Sequence, residues 1–161
     1  MKEIEIIDNF LDKDLFENLK KYITNDYFPW YFNDYKTKEG DKHFQFTHTC
    51  YKDYNIKSYE FHNKLINVYN KLNFKSILRV KANLTTKENK IFTYDFHNDM
   101  PFECKTSIFY INTNNGKTIF ENGDKIESIE NRMITFSSQL LHSGTSHTDE
   151  KVRIVINFNY F

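Results

Sequence analysis

His97-Asn98-Asp99 places an imidazole and a carboxylate two residues apart, so in an extended segment both point to the same side. A second imidazole from elsewhere in the chain would put two nitrogens and one oxygen on one triangular face of an octahedron. Such a face suits ferrous iron and leaves the opposite positions open for a co-substrate and oxygen. The spacing alone is weak evidence. Six His and eleven Asp in 161 residues give about 0.4 such spacings by chance, and His147-Thr148-Asp149 is a second one. Chain order separates the two. No His follows Asp149, whereas His142 and His147 both follow Asp99.

These residues need rigid elements to position them. From 75 onward the polarity alternates with a period of two: Ile77, Arg79, Lys81 and Asn83 on one face, Leu78, Val80, Ala82 and Leu84 on the other. Further strands are predicted over 106–111, 117–120, 133–136 and 152–160. Asn115-Gly116 and Asn122-Gly123 read as hairpin turns with positive φ at both central residues. Short strands at close spacing with no helix between them indicate an antiparallel barrel or sandwich. Two helices are predicted before them. One follows Asp12 as cap, with Leu15, Phe16, Leu19, Tyr22 and Ile23 on its apolar face; the other covers 58–72, with Phe61, Leu65, Val68, Tyr69 and Leu72. Between the helices, the ring-rich segment 27–54 reads as core and hairpin packing, with a turn at Gly40.

Composition sets the outer bounds. A chain of 161 residues fits one domain, and 39% hydrophobic residues with 17% aromatics can fill a core despite a mean hydropathy of −0.70. Lys+Arg and Asp+Glu are both 22, which gives no electrostatic case for a nucleic acid or an anionic membrane surface as partner. No apolar run is long enough to span a bilayer, and residues 1–10 hold no signal-peptide core, so a cytoplasmic protein is expected. Cys50 and Cys104 are read as reduced packing residues. Lys outnumbers Arg 19 to 3, and Asn, Ile, Phe and Tyr are common, as in a phage or a reduced-genome bacterium.

The downstream residues carry a resemblance. Lys105-Thr106-Ser107-Ile108-Phe109-Tyr110-Ile111-Asn112, then Asn131 to Phe136, Leu141-His142-Ser143-Gly144-Thr145 and Lys151 to Phe158 together resemble the Fe(II)/2-oxoglutarate-dependent dioxygenase superfamily, in its small prolyl-4-hydroxylase-like branch of phages and bacteria. The likeness covers 78–161. It implies a mainly β fold with N-terminal helices, a double-stranded β-helix (a jelly-roll or cupin-like barrel), in a single domain over 1–161. Residues 1–74 would supply helical and hairpin support, and 75–161 the barrel core. The resemblance makes His97, Asp99 and His142 the iron ligands and leaves His147 without that role. It makes Arg153 the clamp on the far carboxylate of 2-oxoglutarate, with Tyr110 donating a second hydrogen bond to it. Tyr94 and Asn83 would line the same pocket. The chemistry agrees, since a guanidinium meets a carboxylate bidentately where an ammonium is a point charge. Related halogenases lack the carboxylate ligand, so Asp99 favours hydroxylation.

The implied cofactors are Fe(II), 2-oxoglutarate and O2, with ascorbate as an auxiliary reductant. The implied substrate is a prolyl residue of a peptide, a free amino acid or another small metabolite. The nucleic-acid demethylase branch carries a second Arg six residues after the clamp, where this chain has Asn159. Trp30, Tyr31 and His48 are the expected substrate-side residues of segment 27–54. The competing reading is a non-catalytic β-barrel binding or virion-associated protein that has kept the fold.

Overall fold

Alternation along two long strands divides the molecule into a packed side and a hollow side. The computed structural model describes residues 4–161, so Met1, Lys2 and Glu3 of the expected leader-free start lie outside the described residues. The chain runs β1 (Glu5–Ile7), α1 (Lys13–Ile23), β2 (Tyr31–Asn33), β3 (Gln45–Lys52), β4 (Asn55–Ile56), α2 (Tyr59–Lys64), α3 (Ile66–Leu72) and β5 (Ile77–Thr86). It continues with β6 (Lys105–Tyr110), β7 (Asn114–Phe120), β8 (Lys125–Ser128), β9 (Met133–Ser137), β10 (His142–Gly144) and β11 (Val152–Tyr160).

Eight strands form the major sheet in the order β1-β9-β6-β11-β5-β3-β2, with β4 paired to β3. β11 lies near its middle, antiparallel to β5 (Ile156 opposite Ala82) and to β6 (Asn157 opposite Ile108). The last strand therefore occupies the interior of the sheet and does not close an edge. The minor sheet is β10-β7-β8. Bridges Thr93–Thr145 and His97–His142 tie the segment between β5 and β6 to its β10 edge.

One face of the major sheet carries Val80 and Ala82 from β5, Phe109 from β6 and Ile154, Ile156 and Phe158 from β11, all buried against the helices. From α1, Phe16, Leu19 and Ile23 recur at helical spacing and reach this layer. Phe10 and Phe16 meet Phe109 edge-on at 5.6 and 5.9 Å, so aromatic rings fill the volume that a smaller-residue core would need more chain to fill. On the opposite side, Ile108, Tyr110, Ile134, Phe136 and Val155 of the major sheet form a second apolar group with Phe120 and Ile126 of the minor sheet. That group floors one end of the space between the sheets, and polar residues line the rest.

Several local expectations are corrected. Asn115-Gly116 is not a turn but lies inside β7. At Asn122-Gly123 a turn does form, but only Gly123 has positive φ (+94°). Gly123 N–H donates to Phe120 O and Phe120 N–H to Asp124 O, so the loop is a type I turn followed by a left-handed glycine. The helix expected over 58–72 is two helices. They break at Leu65 (φ −90°, ψ 1°), whose N–H reaches only three residues back to His62 O. Asp12 starts α1 without a side-chain cap; its carboxylate lies 3.8 Å from Lys71 Nζ instead. Cys50 and Cys104 are free and buried, and burial pushes the Cys50 thiol up to about 11.

Candidate metal and co-substrate site

A bridge between an irregular segment and a sheet edge brings the chemistry together. His97 N–H donates to His142 O at 3.0 Å and His142 N–H to His97 O at 3.1 Å, which fixes the two backbones side by side. Their ring centroids are 4.7 Å apart, and the ligand atoms of His97, Asp99 and His142 all lie within 4.8 Å of one another. Each imidazole turns its Nδ1 to a carbonyl two residues back, His142 to Leu140 O at 3.0 Å and His97 to Asp95 O at 3.4 Å. A carbonyl only accepts, so Nδ1 carries the proton and Nε2 keeps its lone pair for a metal. Burial, then the neighbouring His142, lowers the pKa of His97, which favours the neutral ring that coordination requires.

Asp99 is held as a carboxylate. Burial raises its pKa, but Arg79 first, then His142 and His97, outweigh this and hold it at about 2. Arg79 Nη2 donates to Oδ1 at 2.9 Å, and Asn159 Nδ2 donates to Oδ2 at 3.2 Å. Arg79 Nε donates in turn to Asn159 Oδ1 at 2.9 Å, so β5 and β11 jointly orient the carboxylate. Two imidazoles and one anionic carboxylate, each fixed by an outer hydrogen bond, fit a ferrous ion.

Arg153 lines the same cavity of about 340 Å³. It is 6% exposed and has no carboxylate partner among the described residues. Nε donates to Ser128 Oγ at 2.9 Å and Nη2 to Thr118 Oγ1 at 3.3 Å. A guanidinium has five N–H groups, so these two bonds leave Nη1 and one proton of Nη2 as adjacent donors, the fork that a carboxylate accepts. Gly116 allows this placement. A Cβ built there would sit 3.0 Å from Arg153 Cδ and 2.9 Å from Asn114 Oδ1, so a side chain would press on both.

No family model and no curated protein matches the chain. Solved structures do match. A 2OG-Fe(II) oxygenase family oxidoreductase from Burkholderia pseudomallei aligns with a TM-score of 0.72 and 12% identity, over 98% of this chain and 84% of that one. A Trichoplax adhaerens prolyl hydroxylase, solved with a peptide fragment of a hypoxia-inducible factor, aligns at 0.70 and 17% identity, over 98% and 83%. A collagen prolyl hydroxylase of Paramecium Bursaria Chlorella virus-1, solved with 2-oxoglutarate, aligns at 0.58 and 16% identity, over 98% and 94%. The fold is the double-stranded β-helix of the 2-oxoglutarate/Fe(II) oxygenases.

Within this β-helix the residues singled out from sequence fall into three groups. His97, Asp99, His142, Arg153 and Asn83 line one cavity. Tyr110 is close but differently engaged. Its hydroxyl bonds Thr118 Oγ1 at 2.6 Å, and Arg153 stands 5.7 Å over its ring. Thr118 lines the cavity and Tyr110 does not, so the hydroxyl of Tyr110 sits behind that of Thr118. Tyr94 flanks the cavity, stacked edge-on against Phe92 and His43, and burial pushes its hydroxyl up to about 12. Trp30, Tyr31 and His48 do not reach the cavity. His48 bonds Pro29 O and packs on Phe28 and Phe61 on the helix side of the sheet, Trp30 packs on Phe28, and the exposed Tyr31 meets the His48 ring. His147 is fully buried and stands apart from the three-residue cluster.

The sequence does not mark most of the other cavity residues as functional, Lys36, Arg79, Lys81, Thr118 and Asn157 among them. The inward register of Lys81 and Asn157 was available from the period-two pattern. Lys36 carried no local signal, being one of several lysines in a polar loop.

Proposed function

We propose that this protein is an Fe(II)- and 2-oxoglutarate-dependent hydroxylase. One observation carries the reading. A His, His, carboxylate cluster and a buried arginine with no acidic partner among the described residues face the same cavity. The first suits ferrous iron and the second suits the distal carboxylate of a dicarboxylic acid.

Ferrous iron at this site would couple oxidative decarboxylation of 2-oxoglutarate to succinate and carbon dioxide with hydroxylation of an unactivated C–H bond. The chain's own residues do the rest. His97 and His142 present Nε2, with Nδ1–H tied to backbone carbonyls. Asp99 supplies a fixed negative charge, oriented by Arg79 and Asn159. Arg153, steadied by Ser128 and Thr118, offers its remaining fork to the distal carboxylate and so sets which way the co-substrate lies. Ile108 and Val155 supply an apolar part of the cavity wall. The substrate in this reading is a peptide residue, as in the Trichoplax complex, or a small molecule. A cytoplasmic location suits the two free thiols.

The intact ligand set argues against a barrel kept only for binding. The test is succinate formation from 2-oxoglutarate with Fe(II), oxygen and ascorbate. Wild type is expected to form succinate slowly without substrate, and Asp99→Ala and His142→Ala to form none. Full activity in either variant, or none in correctly folded wild type, overturns the assignment.

A further inference from the structure

The cavity carries far more positive charge than the reaction needs. Four cationic side chains line it, Lys36, Arg79, Lys81 and Arg153, against the single carboxylate of Asp99. Arg79 is paired with Asp99 and Arg153 is assigned to the co-substrate. A ferrous ion and a 2-oxoglutarate dianion carry no net charge together, so loading the site leaves its excess of positive groups as it was.

Neither lysine has a carboxylate within ion-pair distance among the described residues, and the nearest acids are engaged. Lys36 feels Asp41, whose oxygens accept Thr37 N–H and His43 N–H. Lys81 feels Asp99, whose oxygens accept Arg79 and Asn159. The remaining neighbours are cations, Arg153 and Lys81 for Lys36, Arg79 and Lys52 for Lys81. Lys36 Nζ does sit 3.5 Å from the centroid of the Tyr94 ring. One cation–π contact is worth less than the desolvation of an ammonium, so it does not explain why a lysine is kept there. Burial lowers the pKa of Lys36 well below the usual lysine range and that of Lys81 to about 8, the mark of cations that lack a counter-ion.

Two further atoms point the same way. Asn83 Oδ1 and Thr85 Oγ1 follow Lys81 along the inward face of β5, and both are buried with no hydrogen-bond partner among the described residues. Gln45 Nε2 donates to Lys36 O at 2.9 Å, which fixes the loop bearing Lys36 to β3 across the cavity. The result is a polar strip with an ammonium from the strand and another from the loop.

We propose that the molecule hydroxylated is itself a small organic anion, received between Lys36 of the β2–β3 loop and Lys81 of β5. This rests on the oxygenase reading above and replaces a neutral prolyl peptide as the substrate. The cavity, about 340 Å³ including the space for 2-oxoglutarate, is at the small end of ligand pockets and fits an acid of amino-acid size.

The test is calorimetric titration under argon of protein loaded with Mn(II) and 2-oxoglutarate, which needs no turnover. The probes are matched pairs, L-glutamate with L-glutamine, L-aspartate with L-asparagine and O-phospho-L-serine with L-serine, beside N-acetyl-L-prolinamide as the neutral prolyl probe. At least one acid is expected to bind tenfold or more tightly than its neutral partner and than the prolinamide. A carboxylate or the phosphate ester in that role identifies the source of the charge. Lys36→Met and Lys81→Met should each reduce the preference below threefold, with melting temperatures showing that both variants fold. The proposal is overturned if no acid outbinds its partner, or if the preference survives in both variants. Loading is measured first and separately. Wild type that binds neither Mn(II) nor 2-oxoglutarate refutes the oxygenase reading, and this proposal with it.

Discussion

Arg79→Met should convert Asp99 from a stabilising group into a destabilising one. In the wild type Asp99 is 4% exposed at its side chain, with Arg79 Nη2 2.9 Å from Oδ1. Removing the guanidinium leaves a buried carboxylate with Asn159 as its remaining donor. Breaking a buried pair from one side costs about 3–5 kcal/mol, and the 22% exposure of Arg79 argues for the lower end. For a domain of this size about 3 kcal/mol corresponds to a fall of roughly 6–12 °C in Tm. The pH dependence has a definite sign. Asp99 is held at about 2 against an ordinary 3.8, so in the wild type its ionisation contributes about 2 kcal/mol above pH ~4, lost as pH falls through 2. Without Arg79, burial dominates and the folded pKa rises above the unfolded one. The variant is then penalised at neutral pH and relieved on acidification. Urea unfolding of metal-free protein between pH 4 and 8 should show the gap narrowing toward pH 4. Asp99→Asn in the same background should recover most of the loss, and Mn(II) should stabilise Arg79→Met more than wild type, since the ion supplies the missing charge. A loss below about 1 kcal/mol that is flat with pH, or a double variant no better than the single one, would refute the reasoning.

Arg153→Met should raise the Tm of ligand-free protein by a few degrees, because a buried cation with no acidic partner among the described residues is replaced by an apolar side chain, and should weaken stabilisation by 2-oxoglutarate; thermal melts with and without it read both. Gly116→Ala should weaken 2-oxoglutarate binding tenfold or more while leaving the protein folded, as the new Cβ would meet Arg153 Cδ at 3.0 Å; calorimetry and circular dichroism separate the two. Tyr110→Phe should cost about 1 kcal/mol of stability and change 2-oxoglutarate affinity by less than threefold, since Thr118 stands between the hydroxyl and Arg153; a tenfold loss would show that the hydroxyl itself contacts the ligand.

The legible parts of the sequence are those governed by local periodicity. β11 occupies 152–160 as the alternation from Val152 to Tyr160 predicts, and β5 follows its own alternation down to which face Arg79, Lys81 and Asn83 take. A two-residue spacing and chain order lead to His97 and Asp99 and leave His142 and His147 open; the resemblance chooses His142, and it is His142 that clusters with them. What failed depends on tertiary context. Asn115-Gly116 has the chemistry of a turn, but its glycine serves to let Arg153 pass close by, a demand written 37 residues downstream. The bond between Tyr110 and Thr118 is not legible either, since Thr118 is an unremarkable strand hydroxyl eight residues away. Lys36 is one of 19 lysines, and only folding of the β2–β3 loop over Tyr94 distinguishes it. β10, three residues long, is fixed by its pairing with β7 more than by propensity.

The most direct test of the central claim is an anaerobic titration of Fe(II) and 2-oxoglutarate into metal-free protein, followed by the weak visible charge-transfer band of their chelate. The account predicts that the band saturates with wild type, needs more 2-oxoglutarate in Arg153→Met, and is absent in Asp99→Ala. A flat spectrum from wild-type protein shown by circular dichroism to be folded would contradict it.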